Sequence, residues 1–135
     1  MNRRLIKSLI LYVKRTYPYL AATAIEIVDG PGHTAYYPST KSITIYLDTV
    51  KEKAKLPSFK RRFGRGLSFE RLVAKVLLHE VCHVYQETIY DARVLLKETL
   101  KIGVEVEHDK SWIELEADAF ARKEFPRLLC TFASL

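Results

Sequence analysis

The period of the apolar positions changes partway along the chain. From Arg3 to Tyr17, residues 5, 6, 9, 10, 13 and 17 are apolar and lysine and arginine take the other face. That spacing predicts an amphipathic helix, ended by Pro18. "AIEIVDG" (Ala24 to Gly30) alternates and stops at a Gly-Pro-Gly turn, as a strand does. "HTAYYPS" reads as a second, weaker strand. In "KSITIYLD" (Lys41 to Asp48), Ile43, Ile45 and Leu47 alternate with Thr44, Tyr46 and Asp48, the clearest strand pattern in the chain. These three runs predict a small antiparallel sheet.

Beyond residue 66 the period is helical. Ser68 is placed to cap a helix running from Phe69 to about Glu87, with Glu70 in the first turn where the helix dipole favours an acid. "ARVLLKETLK" predicts a second helix ending near Gly103. "SWIELEADAFARKEF" (Ser111 to Phe125) predicts a third, stopped by Pro126. Strands followed by helices predict an α+β fold: an N-terminal helix, a three-stranded sheet, then one long helix and two more. The 135 residues fit a single domain, 1–135.

Composition adds one asymmetry. The chain is 48% hydrophobic and 28% charged, an ordinary globular balance, with a net charge of +6. "KEKAKLPSFKRRFGRG" (Lys51 to Gly66) holds seven Lys/Arg and one Glu, so it carries the whole excess. This Lys51–Arg65 segment offers a surface for an acidic partner or nucleic acid. The plainer reading is a solvated, mobile loop joining two elements. Two cysteines, Cys82 and Cys130, make no disulfide framework, and Cys82 falls in an apolar helix pattern, which favours a reduced, cytoplasmic setting. The longest N-terminal apolar run, Leu9 to Val13, is too short for a signal-peptide core or a membrane span.

The chemistry concentrates in "LLHEVCH" (Leu77 to His83). At about 100° per residue, His79 and His83 leave one helix face one turn apart, as two ligands of one metal ion require. Glu80 lies beside them, able to reach a metal-bound water without being a ligand. This is the H-E-x-x-H arrangement. The surrounding helix is apolar on both sides, so the three polar groups need partners. The competing reading is a pair of hydrogen-bonded core histidines.

A catalytic zinc site takes three protein ligands and leaves one position open. The H-x-x-G-x-x-H extension is absent, since Val84, Tyr85 and Gln86 follow His83. The best remaining source is "ELEADAFA" (Glu114 to Ala121), where Glu114 and Asp118 share a face with the small Ala117 and Ala121. Glu114 would complete the ligand set with His79 and His83, and Asp118 would fix the tautomer of a ligand histidine. Zn2+ would bring the pKa of its water toward 7, and Glu80 would act as general base. Two alternatives stay open. Ser111 and Glu114 fit an S-x-x-E capping box, which would occupy Glu114, and His108 in "EHDKSW" could be the third ligand instead. Glu116 is expected to be solvated, and His33 to lie on the surface.

"LLHEVCH" followed by "ELEADAFA" resembles the small gluzincin zinc metallopeptidases, in particular the ImmA/IrrE-like group. "AYYPSTKSITIYLDT" is similar to the strand pair ahead of that group's active-site helix. The resemblance covers roughly residues 24 to 125. It implies a minimal gluzincin fold and a zinc metalloendopeptidase with zinc on His79, His83 and Glu114. It makes Glu80 the catalytic base and Asp118 the orienting acid, and implies an extended protein or peptide substrate held on the sheet edge. Such enzymes often cut repressor-type proteins. The group's oxyanion-steadying residue has several candidates here: Tyr36, Tyr37, Tyr85, Tyr90 and His108. "HEVCH" with "HDKSW" also looks like SprT-type proteases, with His108 as third ligand. A non-catalytic metal-binding protein that contacts nucleic acid is the remaining alternative.

Overall fold

A computed structural model describes all of residues 1–135. Helix α1 spans Arg3–Thr16 and turns Leu9 and Val13 inward at the predicted spacing. A 3-10 turn, Pro18–Leu20, leads into strand β1, Ala24–Val28. Strands β2, Ala35–Tyr37, and β3, Ser42–Tyr46, follow. Ile25 and Ile27 of β1 and Ile43 and Ile45 of β3 are buried, so the alternation marks the inner face.

The sheet is mixed, not antiparallel as expected. Its order is β1-β3-β2, with β1 parallel to β3 and β2 antiparallel to β3. The Gly-Pro-Gly segment does not close a hairpin. It carries the chain past the end of β3 to the far side, and only β2 and β3 form a hairpin. Gly32 is required there: a Cβ at that position would sit 2.6 Å from the Tyr46 ring. The Thr49 hydroxyl binds both Gly32 backbone groups and pins the crossing.

The basic segment is also unlike its expectation. It is not a loop but the end of α2, Leu47–Lys53, followed by α3, Pro57–Phe63. Phe59 and Phe63 stack 4.6 Å apart, both buried, and hold α3 on the core. Lys51, Lys53, Lys55, Lys60, Arg61 and Arg65 point outward, and Arg62 turns in.

Helix α4, Phe69–Ile89, is capped by Ser68, whose hydroxyl accepts from Arg71 N–H. It runs through the core with Val73, Leu77, Leu78 and Val81 fully buried. Helix α5, Ala92–Lys101, has no buried residue. Helix α6, Trp112–Thr131, continues past Pro126 rather than ending there. Pro126 cannot bond the Arg122 carbonyl, but both residues are exposed, so water can serve that carbonyl. Phe125 and Leu128 stay buried only if the helix goes on. α6 lies along α4, with Ala117 and Ala121 at the contact. No helix is long and apolar enough to cross a membrane.

Candidate metal centre

The site forms where α4 and α6 touch. His79, Glu80 and His83 come from the middle of α4, and Glu114 and Asp118 from successive turns of α6. The ligand atoms of His79, His83 and Glu114 all lie within 4.8 Å of one another, a cluster that can hold a metal ion. His79 Nε2 and His83 Nε2 are 3.2 Å apart. Two nitrogens at ~2.0–2.1 Å from one tetrahedral ion would be separated by about 3.3 Å. Glu114 Oε2 is 2.7 Å from His79 Nε2, and Glu114 Oε1 is 3.2 Å from His83 Nε2. Buried Glu114 Oε2 nevertheless has no aligned hydrogen bond. Three donors crowd one point without good N–H···O geometry, which fits an ion better than a hydrogen-bonded trio of core residues.

Each histidine is oriented from behind. Asp118 Oδ1 lies 2.8 Å from His79 Nδ1, in close contact but off the line of an N–H bond. His83 Nδ1 meets Gln86 Oε1 at 2.8 Å. The Gln86 amide orientation follows from its other contacts: its nitrogen donates to the Ile113 carbonyl at 2.9 Å and to Glu116 Oε1 at 3.0 Å, both acceptors. The Gln86 oxygen therefore faces His83, whose Nδ1 must carry the proton. In both rings Nε2 is left to offer its lone pair to a metal.

Glu80 stands beside this set without joining it. Its Oε1 is 4.0 Å from His79 Nε2, and its Oε2 accepts the Tyr36 backbone N–H at 2.8 Å. Tyr36 lies on β2, an edge strand, so the sheet edge fixes the carboxylate. The histidines, Glu80 and Glu114 line a cleft of about 790 Å³, shared with Phe59 and Phe63 of α3 and Leu95 and Leu96 of α5.

The charges are strongly coupled. Burial pushes the His79 pKa down, but the carboxylates of Asp118 and Glu114 in close contact with its ring and the charges of Glu80 and Glu114 outweigh it and raise it to about 9. Burial likewise opposes protonation of His83, and Glu114 and Glu80 reverse the effect. Burial alone would raise the Glu114 and Asp118 pKa values; the closely apposed histidines, and the hydrogen bonds from Arg62 to Asp118, hold both below the usual carboxylate range.

These contacts bear on each of the alternatives. Ser111 caps α6 by position only. Its hydroxyl makes no capping bond and is buried without a partner, so the capping box is not formed and Glu114 is free for the site. His108 lies at the cleft mouth, with its side chain 57% exposed and its Nε2 3.2 Å from Glu114 Oε1. It approaches the third ligand from outside and is not one of the three converging groups. Cys82 is buried away from the cluster, and burial pushes its thiol up to about 12, so it offers no thiolate. Of the oxyanion candidates, only Tyr36 and His108 line the cleft. The Tyr37 hydroxyl donates to the His33 carbonyl, Tyr85 packs on Tyr19, and Tyr90 donates to Glu116. His33 is exposed, as expected, at the cleft rim.

Two site residues escaped the sequence. Gln86 is 1% exposed and three residues beyond His83, within reach on the same helix; a buried glutamine in an apolar helix was the available signal. Arg62 was hidden in the charge run. Glu116, expected to be solvated, instead accepts from both Gln86 and Tyr90.

Compared with protein-family models, curated proteins and solved structures, the chain matches none.

Proposed function

We propose that the protein is a zinc-dependent metallopeptidase of gluzincin type, a hydrolase acting on protein or peptide substrates. The observation that carries the reading is the convergence of His79, His83 and Glu114 beside a carboxylate, Glu80, that is not among the three ligands. Three ligands opening on a cleft are what a catalytic zinc site needs, whereas a structural site is closed by a fourth. A structural site also has no use for a base.

Zinc bound there would supply the Lewis acidity that turns water into a nucleophile at neutral pH. The remaining work belongs to the chain. Glu80, held by the Tyr36 N–H, takes a proton from the attacking water and passes it to the leaving amine. Asp118 and Gln86 keep the two imidazoles turned the right way. The outer edge of β2 borders the cleft, so an extended peptide can add alongside it through the backbone groups that Glu80 does not occupy.

The test compares zinc-loaded wild type with Glu80→Gln on a peptide library read by mass spectrometry. Zinc content is expected to stay at one per chain while cleavage falls about 10²–10⁴-fold. Equal cleavage by both proteins would sink the peptidase reading.

A second feature bears on partners. Lys51, Lys53, Lys55, Lys60, Arg61 and Arg65 are exposed along α2, α3 and the residues that follow, a basic face of which Lys53 lines the cleft. We read this face as a site for acidic segments of a protein partner, with nucleic acid as the competitor. Binding of DNA that weakens steeply between low and moderate salt would favour nucleic acid.

A further inference from the structure

Arg62 is the one basic residue of the Lys51–Gly66 segment that turns inward. Its side chain is 18% exposed and faces three carboxylates, on α6 and on the turn before it. Nε lies 3.0 Å from Asp118 Oδ2 and Nη2 lies 3.1 Å from Asp118 Oδ1, a two-pronged grip on one carboxylate. Nη1 binds Asp109 Oδ1 at 3.0 Å, and Nη2 is 3.6 Å from Glu114 Oε2. The guanidinium sits over the Phe63 ring, centroid 5.1 Å away, and Phe63 in turn packs edge-on against the His79 imidazole at 5.6 Å. The dipeptide Arg62-Phe63 thus touches His79 from one side and holds its carboxylate from the other.

We propose that Arg62 is a positioning residue for the metal, acting through Asp118 to set the His79 ring. This rests on the metal reading of the site. Two effects oppose each other. A fixed cation near a divalent ion repels it, so removing Arg62 would tighten binding if charge alone mattered. Asp118, however, is buried and carries the orientation of His79, and without the fork it can swing off the ring. Loss of an outer partner of a ligand histidine typically weakens metal binding by about 10–100-fold. Three carboxylates, Glu80, Glu114 and Asp118, already lie against His79. Attraction is therefore abundant and orientation is the scarce quantity, so positioning wins.

The experiment measures Co(II) affinity by competition with a chromophoric chelator, together with the visible d–d spectrum, for wild type, Arg62→Lys, Asp118→Asn and the double variant. Lysine keeps the charge but has no fork. Arg62→Lys and Asp118→Asn are each expected to bind Co(II) about 10–100-fold more weakly with an altered spectrum. In the Asp118→Asn background, Arg62→Lys should cost less than about threefold, because its route to the metal is already cut. Unchanged or tighter binding by Arg62→Lys overturns the inference, as does a full second loss in the double variant. Should Arg62→Lys not fold, wild-type affinity in Asp118→Asn overturns it equally. A wild type that binds no Co(II) at all would overturn the metal reading as well, which separates the two failures.

Discussion

Removing the metal should leave a protein that is weakened by alkali. In the metal-free chain His79 sits between Asp118 and Glu114, and its pKa is raised from 6.5 to about 9. A folded-state pKa above the unfolded one means that the stabilisation is fully present below pH 6.5. It is lost as the pH rises toward 9. A rise from 6.5 to about 9 is worth on the order of 3 kcal/mol. His83 and His108 are raised as well and act with the same sign. Glu114 and Asp118 are lowered, so their contribution is present above the ordinary carboxylate range and lost in acid. Metal-free protein is therefore expected to be most stable between about pH 4.5 and 6.5. For a chain of this length the loss by pH 9 corresponds to a fall in melting temperature of about 10 °C. The assay is thermal unfolding of chelator-treated protein by circular dichroism from pH 5 to 9. With saturating zinc the trend should reverse over pH 5 to 7, because the metal needs unprotonated Nε2 atoms. Asp118→Asn should flatten the metal-free profile. A metal-free stability that is constant or rising from pH 6.5 to 9 would refute the charge coupling described for the site.

Three other outcomes are expected. Glu114→Ala should lose zinc during dialysis, while His108→Ala should retain it; the opposite result would make His108 the third ligand. Gln86→Leu removes the acceptor behind His83 and one of the two donors to Glu116, so zinc affinity is expected to fall about 10–100-fold, and wild-type affinity would show that His83 needs no such support. Pro126→Ala should stabilise α6 by about 1–3 kcal/mol in chemical denaturation, since proline costs a helix interior about 3 kcal/mol relative to alanine; no gain would mean that the helix accommodates Pro126 at no cost.

The parts of the site that were legible in the sequence are those set by local geometry. His79 and His83 follow from one helical turn, and Glu114 with Asp118 from another, because i and i+4 residues share a face in any helix. Distance in the chain hid the rest. Arg62 meets Asp118 across 56 residues, from a helix of seven residues that is too short to show a period. The Phe59 and Phe63 pair did carry an i, i+4 signal, but six outward-facing cations masked it. The same limit explains the sheet. Each strand is visible as an alternation, whereas the parallel pairing of β1 with β3 depends on where the Asp29–Thr34 connection crosses, which alternation does not encode. Pro126 failed as a stop signal because its penalty falls on the exposed side of α6 and the buried side repays it.

The two histidines are supported differently, and this bears on how the site is held. Behind His83 stands a neutral amide, Gln86, itself tied to the Ile113 carbonyl, Glu116 and thence Tyr90. Behind His79 stands an ionised pair, Asp118 and Arg62. The neutral chain lies within α4 and α6 and the residues joining them, so it moves only if that helix pair separates, which Ala117 and Ala121 keep close. The ionised chain leaves the helix pair and ends on α3 and Asp109. α3 is short and bound to the core through Phe59 and Phe63, with Lys60 and Arg61 exposed beside Arg62. His83 is thus fixed by the body of the fold, while His79 is fixed through a surface element that carries the basic face. A partner engaging that face would act on the metal centre through His79 before it acted through His83.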